Sequence, residues 1–226
     1  MTIADRKQRE KVQRRSKIID AAEMLFYKKG FDAVTMDEIA DAVELSKGSI
    51  YVYFKNKDSL FMNIVFKKWE KFGQYLITNM AKGRTGEQKI RILIQCFVDF
   101  AKENPEYNEF AMTYGPSIMH RIDEEDQKKI EEIQGRYMPV LFDTIGLGQQ
   151  DGSIRKDLNP ISLGFLIHMI TFFVVSPDPA WKEGYAKSVG SYDDLMELYP
   201  AFIEPAIREF GNQEYATMTE KSTEIV

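Results

Sequence analysis

Two helix starts stand only eleven residues apart near the N-terminus, and that spacing leaves few folds open. Thr35-Met36-Asp37-Glu38 is a capping box. The Thr35 hydroxyl can accept from the backbone three residues on, and Glu38 can reach back to the Thr35 amide. Ser46 supplies a second cap. A helix over about 36–43, the connection Glu44-Leu45-Ser46 and a helix to about Phe54 follow. Before them Ile18, Ile19, Ala22, Leu25 and Phe26 repeat at helical spacing and stop at Gly30, after Lys28 and Lys29. After them Asn56 can cap a fourth helix carrying Leu60, Phe61, Ile64, Phe72 and Leu76. Short helices with a tight turn between the second and third are what a helix-turn-helix needs. Ile39, Ala40, Val43, Leu45, Ile50 and Phe54 face inward, leaving Lys47, Gly48, Tyr51 and Val52 on other faces. A helix that slender, basic at its start, can enter a duplex major groove about 12 Å wide.

The net charge of −5 argues against a nucleic-acid partner until its distribution is read. Residues 1–17 hold seven basic and two acidic side chains, whereas from Ser59 onward acids outnumber bases 25 to 18. The positive charge is concentrated where a DNA footprint needs it.

Helical periodicity continues to the far end, with no convincing period-2 run, so the fold class is all-α. Helices are expected over about 87–103, within 106–114, and over 123–145, 160–175 and 193–210. A loop is expected over 146–159, a Pro-rich connection at 176–179 and a loose polar tail from Gly211. At 226 residues the chain divides by this reading into a DNA-binding domain, 1–58, and a larger helical domain, 59–226. A single cysteine, Cys96, rules out an intrachain disulfide and fits a reducing compartment. The charged start is no secretory signal, and the apolar run 161–175, interrupted by His168, is short for a bilayer. A cytoplasmic protein with no membrane partner is expected.

The stretch from Lys17 to Phe61 resembles the N-terminal signature of the TetR/AcrR family of transcriptional regulators. The matching pieces are Ala21-Ala22, Leu25-Phe26, Lys29-Gly30-Phe31, the run Thr35 to Ala40, the run Ser46 to Tyr51, Tyr53-Phe54, Lys57 and Leu60. The resemblance implies a homodimer on a palindromic double-stranded DNA operator, acting as a repressor and released by a small, mainly apolar effector. Activation and ligand-independent regulation stay open on the residues alone. It further implies that Thr35 and Ser46 lie at DNA-facing helix starts, and that Lys47, Ser49 and Val52 reach base edges. Tyr51, Tyr53 and Lys57 then contact phosphates, with Arg14 and Arg15 adding phosphate or minor-groove contacts. Glu44 stands where the family pattern has glycine, so a positive φ there would be strained.

The remainder carries no comparable signature and no catalytic constellation, so no enzymatic role, cofactor or metal is expected. Cys96, His120 and His168 have no supporting spacing for a nucleophile-base pair. The acids 123–126 better complement a helix start than hold a metal. Aromatic residues and methionines are abundant, and each alone is most simply core. Together Phe97, Phe100, Phe110, Tyr114, Tyr137, Phe165, Met169, Phe172 and Trp181 are candidates for an apolar effector pocket, with His120 and His168 as polar anchors. The last two long helices are the expected dimer face.

Overall fold

The computed structural model describes residues 2–209, in which ten helices and no strand form. They are α1 (Ile3–Lys29), α2 (Met36–Ala42), α3 (Lys47–Tyr51), α4 (Lys57–Met80), α5 (Gly86–Glu103), α6 (Pro105–Met119), α7 (Glu124–Asp151), α8 (Pro160–Val175), α9 (Pro179–Ser188) and α10 (Tyr192–Ile207). The tail expected from Gly211, with Phe210, lies outside the described residues. Among the described residues no single helix is long and apolar enough to cross a membrane.

Packing divides the chain into two compact units, not at residue 58. One holds Met1–Gly73 and Asn104–Gln134, the other Gln74–Glu103 and Gly135 onward. The helix-turn-helix recruits α6 and the start of α7 because its core is aromatic and needs them. Phe26, Phe31 and Phe61 surround Phe110 of α6, whose ring centre is 4.7 Å from that of Phe61 and 5.7 Å from that of Phe26. Ile18, Ala22, Ile39, Ala40, Ile50, Phe54, Leu60 and Ile64 are all buried beside them.

α1 begins at Ile3 and runs through the basic segment. Thr2 and Asp5 form a capping box there, and residues 3–17 contain no glycine or proline to break the helix. The basic segment is therefore a solvated helical extension.

In the second unit α5, α8 and α10 share a core that includes Val98, Ala101, Val175, Tyr192 and Met196. α7 runs on through Gly146 and Gly148 to Asp151, where a loop was expected. The reason is close approach. A Cβ built on Gly86 would lie 2.2 Å from the Gly148 Cα, so these two glycines let α5 and α7 touch backbone to backbone. Asp151 and Ser153 then cap α5 across the contact, accepting from the Gly86 and Glu87 amides at 2.9 and 3.1 Å. α9 is a further departure. Pro179 occupies its first turn and Asp178 accepts from the Ala180 and Trp181 amides, so the Pro-rich stretch is a helix start.

Candidate nucleic-acid interface

The turn between α2 and α3 contains Glu44 at φ 56°, the single non-glycine residue with positive φ among the described residues. Its amide donates to the Asp41 carbonyl and the next amide, of Leu45, to that of Ala40, which closes the turn. Ser46 caps α3, its Oγ accepting from the Ser49 amide at 3.2 Å and pairing with the Ser49 hydroxyl at 2.8 Å. Ile50 and Phe54 anchor the helix in the core. Tyr51 is exposed and Val52, the residue closing α3, is 74% exposed, so both point away from the protein. A Cβ on Gly48 would meet nothing within 4 Å, so no packing inside the chain requires a glycine there.

The polar candidates already have internal partners. Thr35 caps α2 as expected, while its amide and hydroxyl donate to Glu38 Oε2 at 2.8 and 3.2 Å. Lys29 beside that carboxylate, with Thr35, brings the Glu38 carboxyl down to about 2. Lys47 Nζ lies 2.8 Å from Oδ2 of Asp37, a residue the sequence reading passed over. The signal was there only as an acid ten positions before a base, a spacing that no single helix brings together.

Two of the residues expected on phosphates have partners inside the chain. Lys57 Nζ donates to the carbonyls of Phe31, Asp32 and Val34 at 2.6, 3.3 and 2.9 Å, which uses all three of its protons. It closes the α1–α2 connection from inside. Arg15 donates to Asn63 Oδ1 at 2.7 Å and stacks its guanidinium 4.8 Å from the Phe54 ring centre, tying α1 to the start of α4. Arg14 is exposed on α1. Tyr53 is half-buried beside a groove of about 530 Å³. The groove's Arg15, Lys55, Lys128 and Lys129 are matched by Glu125, Asp126 and Glu132, so its mixed charge makes no phosphate track. Lys55 pairs with Asp123, and Arg121 forks onto Asp58 at 3.0 and 3.2 Å, which fixes the connection between α3 and α4.

Residues 18–64 match the family described as bacterial regulatory proteins, tetR family. The HTH-type transcriptional repressor KstR2 of Rhodococcus jostii is 24% identical over 159 residues, covering 67% of this chain and 72% of that protein. A TetR/AcrR-family regulator from Thermobifida fusca superposes with a TM-score of 0.69 at 20% identity, over 85% of this chain and 97% of that one. FadR from Bacillus subtilis, solved in complex with stearoyl-CoA, gives 0.64 at 20% identity over 82% and 95%. Residues 18–64 are thus a DNA-binding region of the tetR-family kind.

By that match the chain is a DNA-binding transcriptional regulator and not an enzyme. Burial pushes the Cys96 thiol of the regulator up to about 11, which keeps it protonated and unreactive at neutral pH. Its expected effector-binding residues are scattered. Phe110 and Tyr114 belong to the aromatic core beneath the helix-turn-helix, and His120 is an exposed residue ending α6; none of the three lies in the second unit. Phe165, Met169 and Phe172 on α8 and Trp181 on α9 are 41–55% exposed, on the outside of the second unit. α8 is apolar nearly all round, so periodicity does not tell its inner side from its outer one. Phe97, Phe100, Tyr137 and His168 are half-buried within the second unit, on α5, α7 and α8.

Proposed function

We propose that this regulator is a homodimeric repressor that reads two operator half-sites with α3 and leaves them when an amphipathic acyl ligand binds the second unit. The observation that carries the reading is the split of α3, with Ile50 and Phe54 buried while Lys47, Tyr51 and Val52 stand outward. Val52 can touch a thymine methyl, and Lys47 and Ser49 can meet base edges or phosphates. Arg14 and the other bases of α1 add attraction to the backbone.

A second copy is favoured by the outer surface of the second unit. Ile161, Leu166 and Phe173 on α8 and Leu198 and Phe202 on α10 are 52–69% exposed, a density of apolar side chains that marks an interface. A symmetric pair presents two α3 helices to half-sites about 34–36 Å apart. The FadR complex supports a fatty-acyl thioester as the effector class, for which Phe97, Phe100 and Tyr137 offer apolar walls and His168 a polar group. α4 and α7 each supply residues to both units, so they are the elements through which an effector could change the α3 spacing. The cytoplasm is the compartment this role requires.

The test is binding by fluorescence anisotropy to a duplex that the protein selects from a random pool. Nanomolar-range binding that stearoyl-CoA weakens at least tenfold, while coenzyme A alone does not, fits the proposal. Binding unmoved by both compounds removes the acyl ligand, and no selection of any duplex removes the operator-reading role.

A further inference from the structure

The pairing of Asp37 with Lys47 has a consequence for affinity. Asp37 lies in the first turn of α2 and Lys47 opens α3, so the ion pair spans the helix-turn-helix on its outer side. The Nζ–Oδ2 distance is 2.8 Å, the side chains are 66% and 53% exposed, and the Asp37 carboxylate raises the Lys47 ammonium above its ordinary value. The next residue acts in the same way. The Glu38 carboxylate likewise accepts from the Thr35 amide and hydroxyl. Two consecutive carboxylates thus occupy donors that face outward on the reading surface.

A carboxylate oxygen and a DNA acceptor compete for the same ammonium protons with the same geometry. We propose that Asp37 is an internal competitor for Lys47, an affinity-determining residue that lowers the strength of DNA binding. Lys47 must exchange Asp37 for a phosphate or a base acceptor when the complex forms, and part of the new contact is spent on the old one. Acids in a first helical turn also favour the macrodipole, but that role does not need the carboxylate to reach Lys47. The inference rests on the reading that α3 faces DNA.

A double-mutant cycle on the selected duplex at fixed moderate salt tests it, with wild type, Asp37→Asn, Lys47→Ala and the double variant. Asp41→Asn, an exposed acid on the same helix, measures the general effect of removing one negative charge. Asp37→Asn should tighten binding by roughly two- to fivefold, the range that exposed ion pairs support. In the Lys47→Ala background its effect should shrink to that of Asp41→Asn. Equal tightening in both backgrounds would mean simple charge repulsion and overturn the proposal. Weaker binding by Asp37→Asn would overturn it too, making Asp37 a positioning residue for Lys47. If Lys47→Ala binds as tightly as wild type, the fault lies in the placement of Lys47 on DNA, a separate and recognisable outcome.

Discussion

Lys57 and Phe31 are joined twice: the lysine Nζ donates to the Phe31 carbonyl at 2.6 Å and lies 4.5 Å from the centre of its ring. With the Asp32 and Val34 carbonyls also accepting, this lysine holds the α1–α2 connection. Lys57→Ala should therefore destabilise the fold by about 1.5–3 kcal/mol, the range for hydrogen bonds to a charged group. Urea unfolding measures the loss. The salt dependence of DNA binding should stay within about half a unit of the wild-type slope, because no phosphate contact is removed.

Glu44 adopts φ 56° without glycine's freedom. Glu44→Gly should raise stability by about 0.5–1 kcal/mol, the strain relieved less the extra entropy of an unfolded glycine. The urea midpoint should rise with the m-value unchanged.

Two glycines should respond in opposite ways. Gly86→Ala drives a Cβ to 2.2 Å from the Gly148 Cα and should cost at least about 2 kcal/mol. Gly48→Ala meets nothing within 4 Å, so the unfolding midpoint should hold or rise slightly with the better helix former. DNA affinity should nonetheless fall, if the open space at Gly48 is filled by the duplex.

Much of this was legible in the sequence. The Thr35 and Ser46 caps placed α2 and α3, and the Ile50/Phe54 pair fixed which side of α3 is buried, because local hydrogen bonding and short-range periodicity decide both. Gly148 was misread because a glycine required by close approach looks like one that breaks a helix. The internal partners of Lys57 and Arg15, Phe31 and Asn63, were not legible because only tertiary packing brings them near. A basic residue near a DNA-reading helix carries no local mark that separates an internal clamp from a phosphate contact.

Phe202 on α10 is 69% exposed, so Phe202→Asp buries no charge in the isolated chain. The variant should keep its helical circular dichroism yet sediment as a monomer at micromolar concentration, where wild type sediments as a dimer. Operator affinity should drop at least tenfold with the lost second half-site.

Burial holds the His168 imidazole below its ordinary value of 6.5. As pH falls the unfolded chain takes up that proton first, so the histidine's contribution is full above about 6.5 and declines below it. Wild type should lose stability between pH 7 and 5, and His168→Gln should lose less across that window in thermal unfolding.

The most direct test of the account is dimethyl sulfate methylation of guanine N7, a major-groove atom, on the selected duplex with and without the regulator. The account predicts two clusters of protected guanines about one helical turn apart, with protection weakened when Val52 and Tyr51 are replaced by alanine. Tight binding that leaves every major-groove guanine reactive would contradict it.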